Sequence, residues 1–312
     1  MNIDRELTAR VFDIEQFGLE DGPGIRMVVF FKGCSLRCRW CHNPESQHME
    51  CEMMFSQDRC LQCGACKDVC PSSAIQFDQE STLRVYLPEK CSMCCRCMKV
   101  CPQNAIDCVG YDIPLSSLVN KIIRAGPFHR RSGGGVTLSG GEPLLQVNLC
   151  KEFLRSCHEE GIHVAIDTSG HVGWAEIKNV LADTDLFLYD IKHLDSKKHQ
   201  EWTGKSNQLI LGNLERLVSA KANRTFSIII RIPVVPGFND TPIEINDILS
   251  FVKDLGRIDK VEVLPFHFYG KIKYQKLRRP YPMENYRPPE KDFLQKIKKM
   301  GEEKRLDISI CG

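Results

Sequence analysis

The sequence lacks a charge excess: 42 Lys and Arg against 40 Asp and Glu leave a formal net charge of +2 over 312 residues. No global field argues for nucleic acid or an anionic membrane as a partner. Long apolar runs are also missing. The longest candidate, "FSIIIRIPVVPGF", is broken by Arg231, Pro233 and Pro236, and nothing reaches the roughly 18 residues of a spanning helix. No export signal is expected, because "MNIDRELTARVFDIEQFG" has acidic residues where the apolar core of a leader would lie. The expectation is a soluble, cytoplasmic chain without a membrane or nucleic-acid partner. With 42% hydrophobic and 26% charged residues, it can build one large α/β domain plus a small appendage.

Cysteine, by contrast, is abundant. Seventeen cysteines would suggest a disulfide framework in a secreted protein, but clustered in a chain without an export address they mean metal. Two groups, "CLQCGACKDVCP" and "CSMCCRCMKVCP", each read C-x2-C-x2-C-x3-C-P. This is the run of bacterial two-cluster ferredoxins, in which the fourth cysteine ligates the other cluster. Cys60, Cys63, Cys66 and Cys101 are therefore assigned to one 4Fe–4S cluster, and Cys91, Cys94, Cys97 and Cys70 to its mate. Pro71 and Pro102 turn the chain after each run. Structural zinc, which uses C-x2-C pairs some distance apart, fits two consecutive proline-closed runs poorly. A purely stapling role for the clusters, in a segment too small for its own core, stays open. Cys95 sits between two ligands, and Cys51, Cys108 and Cys311 have no partner to defend. Cys150 and Cys157, seven apart on one helix face, are expected in the core.

The remaining group lies in "FFKGCSLRCRWCHNPES", where Cys34, Cys38 and Cys41 are spaced C-x3-C-x2-C. Three thiolates leave a four-iron centre one ligand short, as catalytic metal sites keep a position for substrate. Upstream, "DGPG" (Asp21 to Gly24) makes a turn before a strand, Met27 to Lys32, that delivers the cysteine loop. Downstream, "PLSSLVNKIIRA" has a helical apolar face, and strands then alternate with helices: Val136 to Ser139, "IHVAIDTSG" ending at Asp167, "TDLFLYDIKH" ending near Asp190, "FSIIIRIPVVPG" and "KVEVLPFHFYG". Helices are expected up to about 160 and at about 207–222 and 241–255. Strands spaced by helices indicate parallel β/α construction, with functional residues at the strand C-terminal ends. Six such units make a partial barrel.

Those strand ends carry the candidate site. Gly140 and Gly141 allow close approach to the backbone, and Glu142 can bind an ammonium; read alone, the three are a plain strand-to-helix turn. Asp167 and Asp190 end adjacent strands, where acids are unfavourable unless paired or hydrated. Lys192 is their candidate partner, or else a solvated lysine. His267 in "LPFHFYG" and Arg231 in "RIPVVPGFND" complete the set, although a lone histidine among aromatics is more often a packed core residue.

Taken together, "DGPGIR", the G-C-x3-C-x2-C run continuing into "CHNPES", GGE and "LPFH" resemble the glycyl-radical-enzyme activating enzymes of the radical S-adenosylmethionine (SAM) superfamily, in the extended subgroup with a two-cluster insert. The resemblance spans about residues 9–310. It implies a partial (β/α)6 TIM-like barrel of the radical SAM type from residues 1–50 and 111–312, with a ferredoxin-like insert at 51–110. It implies three 4Fe–4S clusters, one on Cys34, Cys38 and Cys41 whose open iron is chelated by SAM, and two auxiliary; a monovalent cation is a further candidate. Trp40 is then expected near the adenine, Gly140, Gly141 and Glu142 at the methionine amino group, and His267 against SAM. Asp167 and Asp190 are implied to order the pocket, with Lys192 a partner for the cofactor carboxylate or for those aspartates, and His42, Ile191 and Arg231 in the same lining. The implied reaction begins with reduction by an external flavodoxin or ferredoxin. SAM is split into methionine and a 5′-deoxyadenosyl radical, which takes hydrogen from a glycine of a partner glycyl radical enzyme under anaerobic conditions. Two other readings remain: a radical SAM enzyme acting on a small molecule, against which "DGPGIR" speaks, and an iron–sulfur electron carrier, which leaves the strand-end motifs unused. The sequence does not identify the partner.

Overall fold

A computed structural model describes residues 7–77 and 84–311. The chain opens with β1 (Thr8–Gly18) and, after the DGPG turn, returns antiparallel as β2 (Arg26–Phe31). The cysteine-rich segment follows as two small antiparallel sheets. One joins β3 (Glu52–Phe55) to β6 (Ile106–Val109), and the other joins β4 (Ile75–Phe77) to β5 (Arg84–Tyr86). The one-turn helices α1 (Ala65–Asp68) and α2 (Arg96–Lys99) lie between these strands in sequence. β7 (Tyr111–Pro114) then brings the chain back beside β1. Alternation follows: α3 (Leu115–Ser132), β8 (Gly135–Gly140), α4 (Val147–Glu159), β9 (His163–Thr168), α5 (Trp174–Val180), β10 (Leu186–Asp190), α6 (Ser196–Thr203), α7 (Gln208–Ala220), β11 (Ser227–Val234), α8 (Pro242–Leu255), β12 (Lys260–Pro265), α9 (Lys271–Lys276), α10 (Lys291–Glu303) and β13 (Ile308–Ile310).

The main sheet runs β13-β12-β11-β10-β9-β8-β2-β1-β7. β2 and β8 to β13 are parallel, while β1 and β7 are antiparallel additions. The six expected parallel strands are present, and β13 adds a seventh. This is an α/β architecture built on a mainly parallel sheet, with β7 and β13 at its edges.

Strand alternation divides the sheet into two faces. One face (Met27, Val29, Phe31, Val136, Leu138, Ile166, Phe187 and Ile230 among others) packs into the main apolar core with residues of α3, α4, α7 and α8. The opposite face holds a small apolar cluster, Ala165, Leu186 and Leu188, and beyond it the polar series Thr137, Ser139, Asp167, Asp190, Arg231 and Glu262. Parallel strands buried on both faces are usually apolar throughout, so this polar series marks the functional side. Helix ends are locally encoded: Thr241 and Glu244 form a capping box at α8 with Pro242 in its first turn. α3 runs to Ser132 rather than stopping near residue 125. Its buried stripe continues through Gly126 to His129, past Pro127, and His129 Nδ1 lies 2.9 Å from the Ile25 carbonyl.

The DGPG turn is not a free surface loop. Arg26 is completely buried and donates to Thr137 Oγ1 (2.6 Å), the Val136 carbonyl (2.7 Å) and the Pro23 carbonyl (3.1 Å). Thr137 Oγ1 in turn donates to the Asp21 carbonyl at 2.6 Å. Gly24 adopts a positive φ of 69°, and a Cβ there would sit 2.4 Å from the Gly134 nitrogen. Burial lowers the Arg26 pKa to about 10, opposed by Asp21 and Asp185.

Candidate active site

The cysteine loop leaves the C-terminal end of β2 and is tied down on three sides. Gly141 N donates to Phe31 O (2.9 Å), Glu142 N to Gly33 O (2.8 Å), and Gly33 N to Ser46 O (2.7 Å). From the far side, Arg37 N and Arg39 N donate to the Thr203 and Trp202 carbonyls of α6 at 2.7 and 3.0 Å. Below the loop, fully buried Lys32 donates to Glu45 O at 2.6 Å. His171, just past "DTSG", holds Ser35 between its ring nitrogen (2.9 Å) and its carbonyl (3.1 Å). Sequence reasoning passed over His171, although its place after a strand-end motif was the available signal.

Cys34, Cys38 and Cys41 are partly buried. Burial pushes Cys34 up to about 12 and raises Cys38 and Cys41 as well, while Lys192 pulls each of them back. Three such thiols become thiolates only if a strong positive centre joins them. Lys192 is buried, paired with Asp190, and raised above the ordinary lysine range by Asp190 and Cys38 against the burial that lowers it. The donor set thus fits an iron–sulfur centre held by three thiolates.

The strand-end residues assemble around this loop, and several of them make close contacts with the protein itself. At Gly141 the close neighbour is protein: a Cβ would lie 2.1 Å from Gly33 O. At Gly140, with φ 106°, it would lie 2.4 Å from Phe31 N. These glycines admit the cysteine loop. The Glu142 carboxylate is fully buried and engaged, accepting from Thr168 Oγ1 (2.8 Å), Ser169 Oγ (2.7 Å) and Ser169 N (3.0 Å). It braces β8 to β9. Arg231 is likewise committed, with Nη1 3.6 Å from Asp167 and 3.7 Å from Asp21, Nε 3.4 Å from Glu262, and Nη2 on the Glu20 carbonyl. It clamps the segment before the DGPG turn to β9, β11 and β12. Asp167 also accepts from Ser139 Oγ at 2.7 Å. Burial raises its carboxyl to about 7, with Arg231 opposing. Ile191 is buried, its N–H on the Arg231 carbonyl at 2.9 Å.

Trp40 belongs to an aromatic wall, its ring centroid 4.8 Å from Phe238 and 6.5 Å from Trp202. His42 and His267 meet edge to face at 4.7 Å, and Tyr269 stacks on His267 at 4.3 Å. A Cβ on Gly270 would lie 2.9 Å from Cys41 O, so the "LPFHFYG" segment lies directly on the cysteine loop.

In the insert, Cys60, Cys63, Cys66 and Cys101 line one small cavity. Cys70, Cys91, Cys94 and Cys97 line a second, with Cys95 beside them. Among the described residues no three His, Cys, Asp or Glu groups converge on a single-ion site. Cys51, Cys95 and Cys108, left without roles by the sequence, lie together: burial, then Cys95 and Cys51, push the Cys108 thiol up to about 12. Among the described residues, no helix is long and apolar enough to cross a membrane.

An α/β sheet that ends in a three-cysteine loop and carries two four-cysteine cavities defines an iron–sulfur enzyme class, and comparison with known proteins identifies it. The chain matches the Radical SAM superfamily over residues 85–251, a 4Fe-4S dicluster domain over 52–110 and a 4Fe-4S single cluster domain over 20–77. It is 42% identical to the trans-4-hydroxy-L-proline dehydratase activating enzyme of Clostridioides difficile, over 97% of this chain and 99% of that protein. It is 39% identical to the choline trimethylamine-lyase activating enzyme of Oleidesulfovibrio alaskensis, over 89% and 90%. Identity to the 4-hydroxyphenylacetate decarboxylase activating enzyme of Clostridioides difficile (strain CD196) is 36%, over 95% and 94%. A solved domain of pyruvate-formate lyase-activating enzyme from Bacteroides vulgatus is 30% identical, covering 58% of this chain and 100% of its own, at a TM-score of 0.49. The chain belongs to the radical SAM superfamily and, within it, to the glycyl radical enzyme activating enzymes. It is a radical SAM activating enzyme that uses SAM and iron–sulfur clusters and has a glycyl radical enzyme as its partner.

Proposed function

We propose that the chain binds a 4Fe–4S cluster on Cys34, Cys38 and Cys41, binds SAM against its open iron, and installs a radical on one glycine of its partner under anaerobic conditions. When bound and reduced by a flavodoxin or ferredoxin, the cluster and SAM supply a 5′-deoxyadenosyl radical able to take that glycine's hydrogen. The residues on this face have distinct tasks. Lys192, fixed by Asp190, places a cation beside the thiolates. Trp40, Phe238 and Trp202 form an apolar wall that excludes water. His42, His267 and Tyr269 form a lip over the cysteine loop, and Glu142 and Arg231 hold the strands that carry the site. Arg231 and Lys192 lie beside Asp167 and Asp190, and a monovalent cation at these carboxylates is a further part of the proposal.

Two further 4Fe–4S clusters are proposed in the insert, taken as residues 51–110, on the two cysteine sets that line its cavities. The partner's substrate stays open: relatives at 36–42% identity are named for partners of different chemistry.

The observation that carries this reading is the trio of partly buried thiols at the end of β2, fixed by GGE and α6 and neighboured by Lys192. The test is anaerobic reconstitution followed by 5′-deoxyadenosine analysis with SAM and a strong reductant. Iron and sulfide should settle near three clusters. Cys38→Ala should lower product to background while the insert keeps its iron, and the parent protein should raise a glycyl radical signal in its cognate partner. Normal product formation in Cys38→Ala, or zinc in place of iron, overturns it.

A further inference from the structure

The two insert cavities differ in one respect that the cysteine runs do not reveal. The β4–β5 hairpin lends a cross-strand pair to each: Phe77 and Arg84 to the first, Ile75 and Tyr86 to the second. Arg84 is only 1% exposed. Its guanidinium lies 4.5 Å from the centre of the Phe55 ring, near which Arg278 also lies at 5.7 Å. Among the described residues, Nε and Nη2 of Arg84 have no hydrogen-bond partner, and no carboxylate forms an ion pair with it. A buried cation with unused donors is strongly unfavourable unless an anion meets it. What its cavity offers is four cysteines. Among the described residues the second cavity has no charged residue in its lining; its counterpart to Arg84 is the Tyr86 phenol.

We propose that Arg84 donates hydrogen bonds to the sulfurs of the cluster held by Cys60, Cys63, Cys66 and Cys101, making it the higher-potential member of the insert pair. Reduction adds one electron to an already anionic cluster, with no bond made or broken. A fixed cation and N–H donors favour the more negative state, and charge, hydrogen bonds to sulfur and solvent exposure are the levers that set such potentials. The opposite cluster, facing Ile75 and Tyr86, has hydrogen-bond donors, with Ala74 N 3.2 Å from Cys70 Sγ, but no buried cation beside it among the described residues. An electron entering the insert from a low-potential one-electron donor therefore settles on the Arg84 side. That side borders Arg278, which follows α9 and donates to Gln57 at 3.4 Å.

This inference rests on the proposed cluster assignment, and the test separates the two. The full chain is prepared anaerobically with Cys34, Cys38 and Cys41 all replaced by alanine, so that only insert clusters titrate, and is reduced stepwise while electron paramagnetic resonance is recorded. Iron content near two clusters checks the assignment. With that content present, two midpoints are expected. Arg84→Met should lower the upper one by at least a tenfold change in equilibrium constant, about 59 mV for one electron, and leave the lower one in place. Arg84→Lys, which keeps charge but loses the planar fork, should fall between. Coincident midpoints in the parent, unmoved midpoints in Arg84→Met, or equal movement of both overturn the proposal. Should Arg84→Met lose iron, Arg84→Lys carries the test and an unmoved midpoint overturns it. Iron loss from both variants overturns it too, by reducing Arg84 to a folding residue.

Discussion

At Gly141 the space a side chain would occupy belongs to the cysteine loop. A Cβ there would meet Gly33 O at 2.1 Å and Ser46 O at 3.1 Å, both backbone atoms that cannot swing aside. Gly33 immediately precedes Cys34, so any relief of the clash moves a cluster ligand. Gly141→Ala is expected to destabilise the protein by about 3 kcal/mol, the upper part of the overpacking range, and to lower the iron held by Cys34, Cys38 and Cys41 ahead of any loss from the insert. Anaerobic thermal unfolding with iron analysis checks this. Unchanged stability and iron with weakened SAM binding would instead make Gly141 a ligand contact. Glu142 illustrates the same point from the polar side. Its residue type and strand-end place were readable, but its engagement by Thr168 and Ser169 depends on a neighbouring strand.

Among the elements, α6 is the one whose importance the sequence concealed. "SKKHQEWT" is short and mostly polar, yet the carbonyls of its last residues, Trp202 and Thr203, fix Arg39 and Arg37 of the cysteine loop. Inside α6, His199 is 1% exposed and lies with Nδ1 2.6 Å from the Lys205 carbonyl, which makes Nδ1 the donor and leaves Nε2 bare, buried and unpartnered. Burial first, then Lys192, His193 and His171, lower its pKa to about 4. The unfolded imidazole titrates near 6.5. A depressed histidine leaves stability complete above that value, and stability is lost as pH falls from about 6.5 towards 4. Between pH of about 7.5 and about 5.5, the parent should lose about 1 kcal/mol more than His199→Gln, measured by denaturant unfolding of both proteins. Equal losses would remove His199 as the acid-sensitive point of the clamp.

The parallel strands were legible because each carries a run of β-branched and aromatic residues ended by a polar or glycine signal. β13 has only three residues, and β1 alternates cleanly only through Ala9 and Val11, so neither announced itself. The cysteine sets were legible because ligand chemistry fixes both residue type and spacing. The buried arginines were not: Arg26 and Arg84 look like ordinary surface charges until Thr137 and Val136, or the first insert cavity, are seen beside them.

For the whole molecule, the question is what keeps the insert folded. Among the described residues its own apolar cluster has six buried members, two of them the cysteines Cys66 and Cys97, whereas the main core extends from Ala9 to Ile308. A unit of roughly 60 residues is marginal on apolar burial alone, and metal binding then becomes part of the folding free energy. Polar contacts tie it to the larger unit at Glu52, which pairs with Arg279 and lies 3.5 Å from Lys32. These anchor β3 but leave the segment between Gln57 and Asn104 dependent on its clusters. Stripping iron anaerobically should therefore melt this segment while the nine-stranded sheet persists. Limited proteolysis of the iron-free protein is expected to cut first between residues 57 and 104, leaving the α3-to-β13 portion protected, with most far-ultraviolet circular dichroism retained. Equal resistance of that segment with and without iron would show that packing alone sustains the insert. Simultaneous collapse of the large sheet would show that the two units fold as one.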